Sequence, residues 1–267
     1  MTELSGAQPV PTPRSESSPQ AQAAPLSSRS QLESRPEPVS LLEGLATTRT
    51  IRRYLPDEIP DDDLATIMWH AGRAPSGSNR QPFRFLVLRH GPQARKARVL
   101  LGESFRAEWA RKVVADGYAK GSGGDASSPK SRMAATMQHY VDHVEEAPVI
   151  VLGCLVRYRA ADPTEGASIY PACQNLLLAA RALGYGGALT MFHRRAEAQL
   201  RTVLAIPDDV AVSACITLGR PQGSHGAVRR KPLREVVFEE SWGEPALWAV
   251  DPPGTSFTAW TRSTNGQ

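Results

Sequence analysis

Residues 147–156 read APVIVLGCLV, and residues 167–184 read ASIYPACQNLLLAARALG. The first run is apolar almost without interruption and has the length of a strand, which predicts a central strand buried on both faces. The second is too long for a strand and apolar around most of its circumference, which predicts a helix in a core or at a subunit interface. Pro171 falls near its first turn, where a missing N–H costs little, and Gly184 is a natural stop at its end. A doubly buried strand beside such a helix predicts a sheet packed between helices.

The neighbouring stretches extend this pattern. FRFLVLR (83–89) alternates and is rich in strand-forming residues. Residues 92–117 have helical character, GYAKGSGGDASSP (117–129) has the composition of a flexible connector, and a further helix is predicted over 131–146. Downstream, YGGALTMF (185–192) reads as a strand. RRAEAQLRTVLAI (194–206) reads as a helix stopped by Pro207, and VAVSACITLGRP (210–221) as a strand. From RRKPLREVV (229–237) onward the chain reads as an extended arm.

Toward the N-terminus, Leu41, Leu42 and Leu45 have the spacing of a short amphipathic helix. Pro56 and Pro60 mark a turn, Asp61 is placed to cap the next helix, and Asp62 and Asp63 suit its positive end. Leu64, Ile67, Met68 and Ala71 share one face of that helix. The strands are too irregularly spaced for a doubly wound sheet, so the predicted class is α+β, with a mixed or antiparallel sheet flanked by helices.

Residues 1–38 contain no Phe, Tyr or Trp and are crowded with Pro, Ser, Gln, Ala and Glu. Such a segment buries too little apolar surface to offset the entropy of ordering it, so it is expected to be a disordered tail. The expected organisation is that tail, one domain over 39–245 with a helical lid insertion at 102–146, and a C-terminal extension over 246–267. The net charge of +4 arises from scattered arginines with no basic block interleaved with aromatics, so nucleic acid is not an expected partner. Cys154, Cys173 and Cys215 sit in apolar runs without a CxxC pair, as buried thiols of a reducing compartment do. The N-terminus has no apolar h-region and the chain has no run long enough to cross a bilayer, so a cytoplasmic protein without a membrane span is expected.

Three segments could carry chemistry. TTRTIRRYLPDEIPDDDL (47–64) places Arg49, Thr50, Arg52 and Arg53 together directly after a helix, a donor set suited to a phosphate. A solvated basic loop is the plainer reading of the same residues. APSGSNRQPFRFLVL (74–88) is a tight turn feeding a strand. Small residues there admit a flat ligand close to the backbone, and Asn79 and Gln81 offer amide groups. GRPQGSHGAVRRKPLREVV (219–237) returns Arg229, Arg230 and Lys231 after the last strand. His139 and His143 have metal-ligand spacing, but HYVDH lacks the glutamate of the zinc-protease motif, so no metal site is expected. GYGG at 184–187 lacks the rest of the dinucleotide-binding fingerprint, and Ser76 is not in a nucleophile elbow.

Taken together, RTIRRYLPDEIPDDDL, APSGSNRQPFRF and RRKPLREVV occur in the order, and with the character, of motifs in the FMN-dependent nitroreductase family. The chain resembles that family over roughly residues 41–240. The resemblance implies an α+β sandwich that forms an intertwined homodimer with two FMN sites at its interface. It implies that Arg49, Thr50 and Arg52 hold the FMN phosphate and ribityl chain, and that Arg230 returns to close on the phosphate. Pro75, Ser76 and Gly77 match the turn that touches the flavin ring, usually from the partner subunit, with Asn79 in the same turn. Leu189, Thr190 and Met191 match the strand end facing flavin N5, Thr190 being the candidate N5 contact. Thr48 stands where many members have another Arg, and Phe83 where Trp is common.

The implied reaction is ping-pong: NADH or NADPH delivers hydride to the flavin, and a nitroaromatic, quinone or similar small aromatic acceptor then takes the electrons. Trp109, Tyr118, Met133, Met137 and Tyr140 are candidate substrate-facing side chains of the lid. Reductive dehalogenation by a related flavin enzyme and non-catalytic flavin binding are the alternatives. A flavin-fragmenting enzyme of the same fold is a third.

Overall fold

A computed structural model of the protein describes residues 39–118 and 120–257. The tail expected over 1–38 and positions 258–267 of the expected extension lie outside the described residues. Four strands, β1 (Phe83–Leu88), β2 (Val149–Val156), β3 (Gly186–Thr190) and β4 (Val210–Gly219), form one sheet in the order β1-β2-β4-β3. Every pairing is antiparallel, which settles the choice between a mixed and an antiparallel sheet.

The run at 147–156 owes its continuous apolarity to its place as β2, a central strand covered on both faces. Ile150, Leu152 and Cys154 face one side, packed with α3 (Pro92–Ala115), α4 (Pro129–Asp142) and α6 (Glu197–Leu204). Val149, Val151 and Leu155 face the other, packed with α2 (Asp61–Ala71) and α5 (Tyr170–Ala182). Fully buried Leu101 and Phe105 of α3, and Ile67 and Leu176 of α2 and α5, anchor the two layers. Burial of each such side chain contributes about 1.5–3 kcal/mol. Between Gly153↔Ala214 and Cys154↔Val212 the register shifts, leaving Ser213 as the extra residue of a β-bulge. The bulge keeps the alternation intact, since Val212 and Cys215 join the first core while Ala211 and Ala214 join the second.

Two buried polar devices tie the layers together. Arg98 of α3 is buried, and its guanidinium donates to five backbone carbonyls: Arg89 (3.0 Å), Glu145 (2.9 Å), Ala147 (2.5 Å), Leu88 (2.9 Å) and Pro148 (3.2 Å). It therefore pins the end of β1 to the corner that opens β2, and its burial lowers its pKa. On β4, the Thr217 hydroxyl lies 2.7 Å from the Tyr54 hydroxyl and 2.8 Å from that of Tyr140, while Tyr54 also donates to the Ile51 carbonyl at 2.6 Å. Burial pushes both phenols well above their usual pKa.

Several expectations are corrected. Helix α2 starts on Asp61 itself, so Pro60 occupies the cap position and no side chain caps the helix; Asp61 instead pairs with Arg89. Helix α5 starts at Tyr170, because residues 165–168 coil into a tighter 3-10 turn; Pro171 does lie in its first turn, and Gly184 stops it at φ +82°. Trp109, Met137 and Tyr140 are 2%, 7% and 2% exposed, so they build the first core and do not face a substrate. Beside the 117–129 connector, Lys130 Nζ donates to the carbonyls of Gly117 (2.6 Å) and Lys120 (3.2 Å). In α1 (Leu41–Thr47) the apolar stripe lacks cover among the described residues: Leu41, Leu42 and Leu45 are 70%, 78% and 51% exposed.

The three cysteines are buried free thiols, and burial pushes Cys154 up to about 11 and Cys173 and Cys215 up to about 12. Among the described residues no helix is long and apolar enough to cross a membrane.

Candidate functional site

The segment after α1 is held in place by its backbone. The Ile51 N–H donates to the Gly187 carbonyl at 2.9 Å, which attaches the segment to the outer edge of β3. Residues 46–55 also run against the chain that leaves β4. Leu55 N–H donates to Arg220 (2.9 Å), Gln222 to Arg53 (3.0 Å), Gly226 to Thr47 (3.2 Å) and Val228 to Ala46 (3.3 Å). The approach needs a glycine on the strand: a Cβ on Gly186 would meet Ile51 Cγ1 at 2.4 Å and His225 Nε2 at 3.1 Å. Sequence-distant basic segments are thus brought side by side, and Arg230 follows two residues after the Val228 anchor.

Within this cluster the arginines keep different company. Arg49 is exposed; its Nη1 lies beside Gly226, and its N–H donates to His225 Nδ1 at 3.2 Å. Arg52 is half-buried, close enough to Tyr54 and Tyr140 to oppose the effect of burial on their phenols. Arg230 is exposed and its guanidinium donates to the Arg229 carbonyl at 2.8 Å. Among the described residues Arg49, Arg52 and Arg181 form no ion pair with a carboxylate, and Arg181 Nε is buried without a hydrogen-bond partner. Cations left without acid partners at the end of a sheet edge suit an anionic ligand.

The 74–88 segment lies at the opposite edge of the sheet, leading into β1. Its turn is held by its own side chains: Gln81 N–H donates to Ser76 Oγ (2.8 Å), Gln81 Nε2 to Asn79 Oδ1 (3.2 Å), and Gly77 N–H to Ser168 Oγ (3.3 Å). Ser78, Asn79 and Gln81 sit at φ +52°, +50° and +49°. Left-handed residues other than glycine cost about 1–3 kcal/mol each and concentrate where a ligand is bound. Pro75, Ser76 and Gly77 line a cleft of about 310 Å³ with the end of β2.

Leu189, Thr190 and Met191 form the end of β3 and the residue beyond it. The Thr190 hydroxyl accepts from the Phe192 N–H at 3.2 Å, and Met191 is exposed. Met191 lines a second cleft, of about 450 Å³, with Tyr170 and His193. Arg157 and Glu165 line both clefts and form a bidentate pair at 2.9 and 2.7 Å, which holds the Glu165 carboxyl below its usual pKa.

One chain therefore brings Arg49–Arg52, Leu189–Met191 and the 220–230 arm to the β3 side, and sets Pro75–Asn79 at the β1 edge, three strands away. His225, Arg181 and the Arg157–Glu165 pair are additions that sequence reasoning missed. A lone histidine in a Gly-rich loop has no periodicity, and Arg181 lay within a helix read for its apolar residues. The pairing of the arm with residues 46–55 reveals His225, and the clefts at the end of β2 reveal the Arg157–Glu165 pair.

A model of the nitroreductase family matches residues 45–220. An Archaeoglobus fulgidus protein that carries the provisional name NADH dehydrogenase/NAD(P)H nitroreductase is 28% identical over 193 residues, covering 68% of this chain and 85% of the relative. An NADH dehydrogenase of Thermus thermophilus is 27% identical over 206 residues, covering 71% and 91%. Among solved structures, a Desulfovibrio desulfuricans protein in complex with FMN superposes with a TM-score of 0.54 at 28% identity, over 75% of this chain and 96% of that one. With its antiparallel α+β sandwich, its basic segment on the edge of β3 and this match across most of the folded region, the chain belongs to the nitroreductase family.

Proposed function

We propose that the protein is a cytoplasmic homodimer that holds FMN and uses NADH or NADPH to reduce nitroaromatic, quinone or similar small aromatic acceptors by a ping-pong sequence. The observation that carries this reading is the basic segment 49–52, docked on the edge of β3 beside the 220–228 arm, whose Arg49 and Arg52 pair with no carboxylate among the described residues. A phosphate monoester fits that donor set: Arg49, Thr50 and Arg52 would hold the phosphate and ribityl chain, and Arg230 would close from the arm. Charge-assisted bonds of this kind are worth about 1.5–3 kcal/mol each.

Leu189, Thr190 and Met191 would border the reactive edge of the ring. Thr190 still has a hydroxyl proton to donate, since its oxygen accepts from Phe192. Pro75, Ser76, Gly77 and Asn79 lie on the far edge of the sheet, which supports their acting from a second subunit. The exposed leucines of α1 offer that subunit apolar surface. The redox chemistry is the cofactor's, a two-electron carrier between NAD(P)H and the acceptor; placement and exclusion of water fall to the protein.

An absorbance spectrum of the purified protein tests the reading. Oxidised-flavin bands that bleach with NADPH or NADH and return on adding a nitroaromatic or quinone are expected. Colourless protein that fails to take up added FMN would end it, and turnover of a halophenol in place of these acceptors would move the protein to the dehalogenating branch.

A further inference from the structure

His225 bridges two backbones. Its Nδ1 accepts the Arg49 N–H at 3.2 Å, and its Nε2 lies 3.1 Å from the Tyr185 carbonyl, to which it donates. These two bonds assign the ring: Nδ1 is bare, Nε2 carries the proton, and the imidazole is neutral. The surroundings favour that state. Burial lowers the ring's pKa; the hydrogen bond to the Tyr185 carbonyl opposes this, and the cations facing the ring, Arg181 from α5 and Arg49 from the segment after α1, reinforce it, leaving the pKa lowered on balance. No carboxylate opposes them among the contributions to its shift. Tyr185 immediately precedes β3 and is itself buried, with its hydroxyl donating to Asp63 of α2 at 2.7 Å, so the carbonyl that His225 grips belongs to a fixed part of the core.

Arg49 by contrast has little to hold it. Its side chain is exposed, and the nearest anchors of its own segment are Thr48, whose N–H donates to the Gly44 carbonyl at 3.0 Å, and the Ile51 N–H, two residues on. Among the described residues, the His225 ring is what holds the Arg49 N–H between these anchors.

We propose that His225 is a positioning residue for the flavin phosphate: by bridging the Arg49 N–H to the Tyr185 carbonyl, it fixes the backbone from which the Arg49 guanidinium reaches the ligand. This rests on the FMN reading above. The physical gain is preorganisation, since a guanidinium held in place before binding loses less freedom on gripping a phosphate. The role needs one acceptor and one donor on a side chain of suitable length. Glutamine carries both, whereas alanine carries neither.

The test is titration of apoprotein with FMN, followed by quenching of flavin fluorescence, for wild type, His225→Gln, His225→Ala, Arg49→Ala and the His225→Ala/Arg49→Ala double variant. Circular dichroism melts of each establish that it is folded. The expected result is FMN affinity about tenfold weaker or more in His225→Ala, as for loss of one such bond network. Affinity within about threefold of wild type is expected in His225→Gln, with little further loss when His225→Ala is added to Arg49→Ala, because the histidine acts through that arginine. Wild-type affinity in His225→Ala overturns the proposal. So does a glutamine variant as weak as alanine, or losses that add fully in the double variant, which would make the ring a packing element or a direct ligand. Wild-type apoprotein that binds no FMN at all defeats the broader reading instead, and is distinguished by that first titration.

Discussion

The hydroxyls of Tyr140 on α4 and Thr217 on β4 lie 2.8 Å apart in a fully buried contact, and Tyr54 completes the group at 2.7 Å from Thr217. One arrangement uses every proton: Tyr140 donates to Thr217, Thr217 to Tyr54, and Tyr54 to the Ile51 carbonyl. The chain of bonds runs from α4 through the sheet to the segment that carries Arg49. Thr217→Val removes the partner of the buried Tyr140 hydroxyl and one of the partners of the half-buried Tyr54 hydroxyl, and is expected to lower stability by about 1–3 kcal/mol, whereas Tyr140→Phe costs about 1 kcal/mol. Urea denaturation of the two variants measures the difference, and equal effects would show that the threonine is not the hub.

Arg98 uses all five of its N–H groups on main-chain carbonyls. An ammonium group donates at most three, so Arg98→Lys strands at least two carbonyls and is expected to cost about 2 kcal/mol or more. A thermal melt reads this directly. Because no carboxylate takes part in these bonds, the loss should be the same at low and high salt.

Stability should fall on the acid side through His193. The ring is fully buried, Nε2 donates to the Val212 carbonyl at 3.0 Å, Nδ1 has no partner within hydrogen-bond geometry among the described residues, and burial lowers its pKa against the raising effect of the Val212 and Thr190 backbone. The unfolded chain therefore binds a proton that the folded chain resists. The stabilisation is complete above the unfolded value of about 6.5 and drains away as the pH falls below it. Denaturation midpoints between pH 7.5 and 5 should drop more steeply for wild type than for His193→Gln, which keeps a donor but does not titrate. Parallel curves would remove His193 as the cause.

Gly186→Ala should separate the cofactor segment from the sheet. The new methyl would meet Ile51 Cγ1 at 2.4 Å, so Ile51 or the strand must move. Overpacking of this kind costs about 1–3 kcal/mol. The expected signature is a fold that survives, by circular dichroism, with FMN affinity reduced by more than the loss in stability accounts for.

Arg49→Ala should weaken FMN binding by about tenfold or more while leaving the melting temperature nearly unchanged, because the side chain is exposed and supports no core contact. Full FMN occupancy of this variant after dialysis would sink the phosphate assignment.

How far the chain could be read from its letters depended on period and chemistry. β2 was legible because burial on both faces makes every position apolar, and α2 because Leu64, Ile67 and Ala71 recur on one face. The ends of α5 were blurred, since the 3-10 turn at 165–168 has nothing in its composition to distinguish it from a first helical turn. Trp109, Met137 and Tyr140 look alike to sequence whether they face a ligand or a core, and only packing places them in the core. For the site, clustered residue types made Arg49, Thr50 and Arg52 visible, while His225 depends on a contact 176 positions away in the chain.

The two candidate halves, separated by the breadth of the sheet, have a genetic consequence if each cofactor is shared between two subunits. An allele defective at Arg49 and an allele defective in the Ser76–Asn79 turn would each be silent alone. Co-expressed, they would assemble mixed dimers in which one of the two sites draws both of its halves from sound copies, so two dead genes would restore part of one activity.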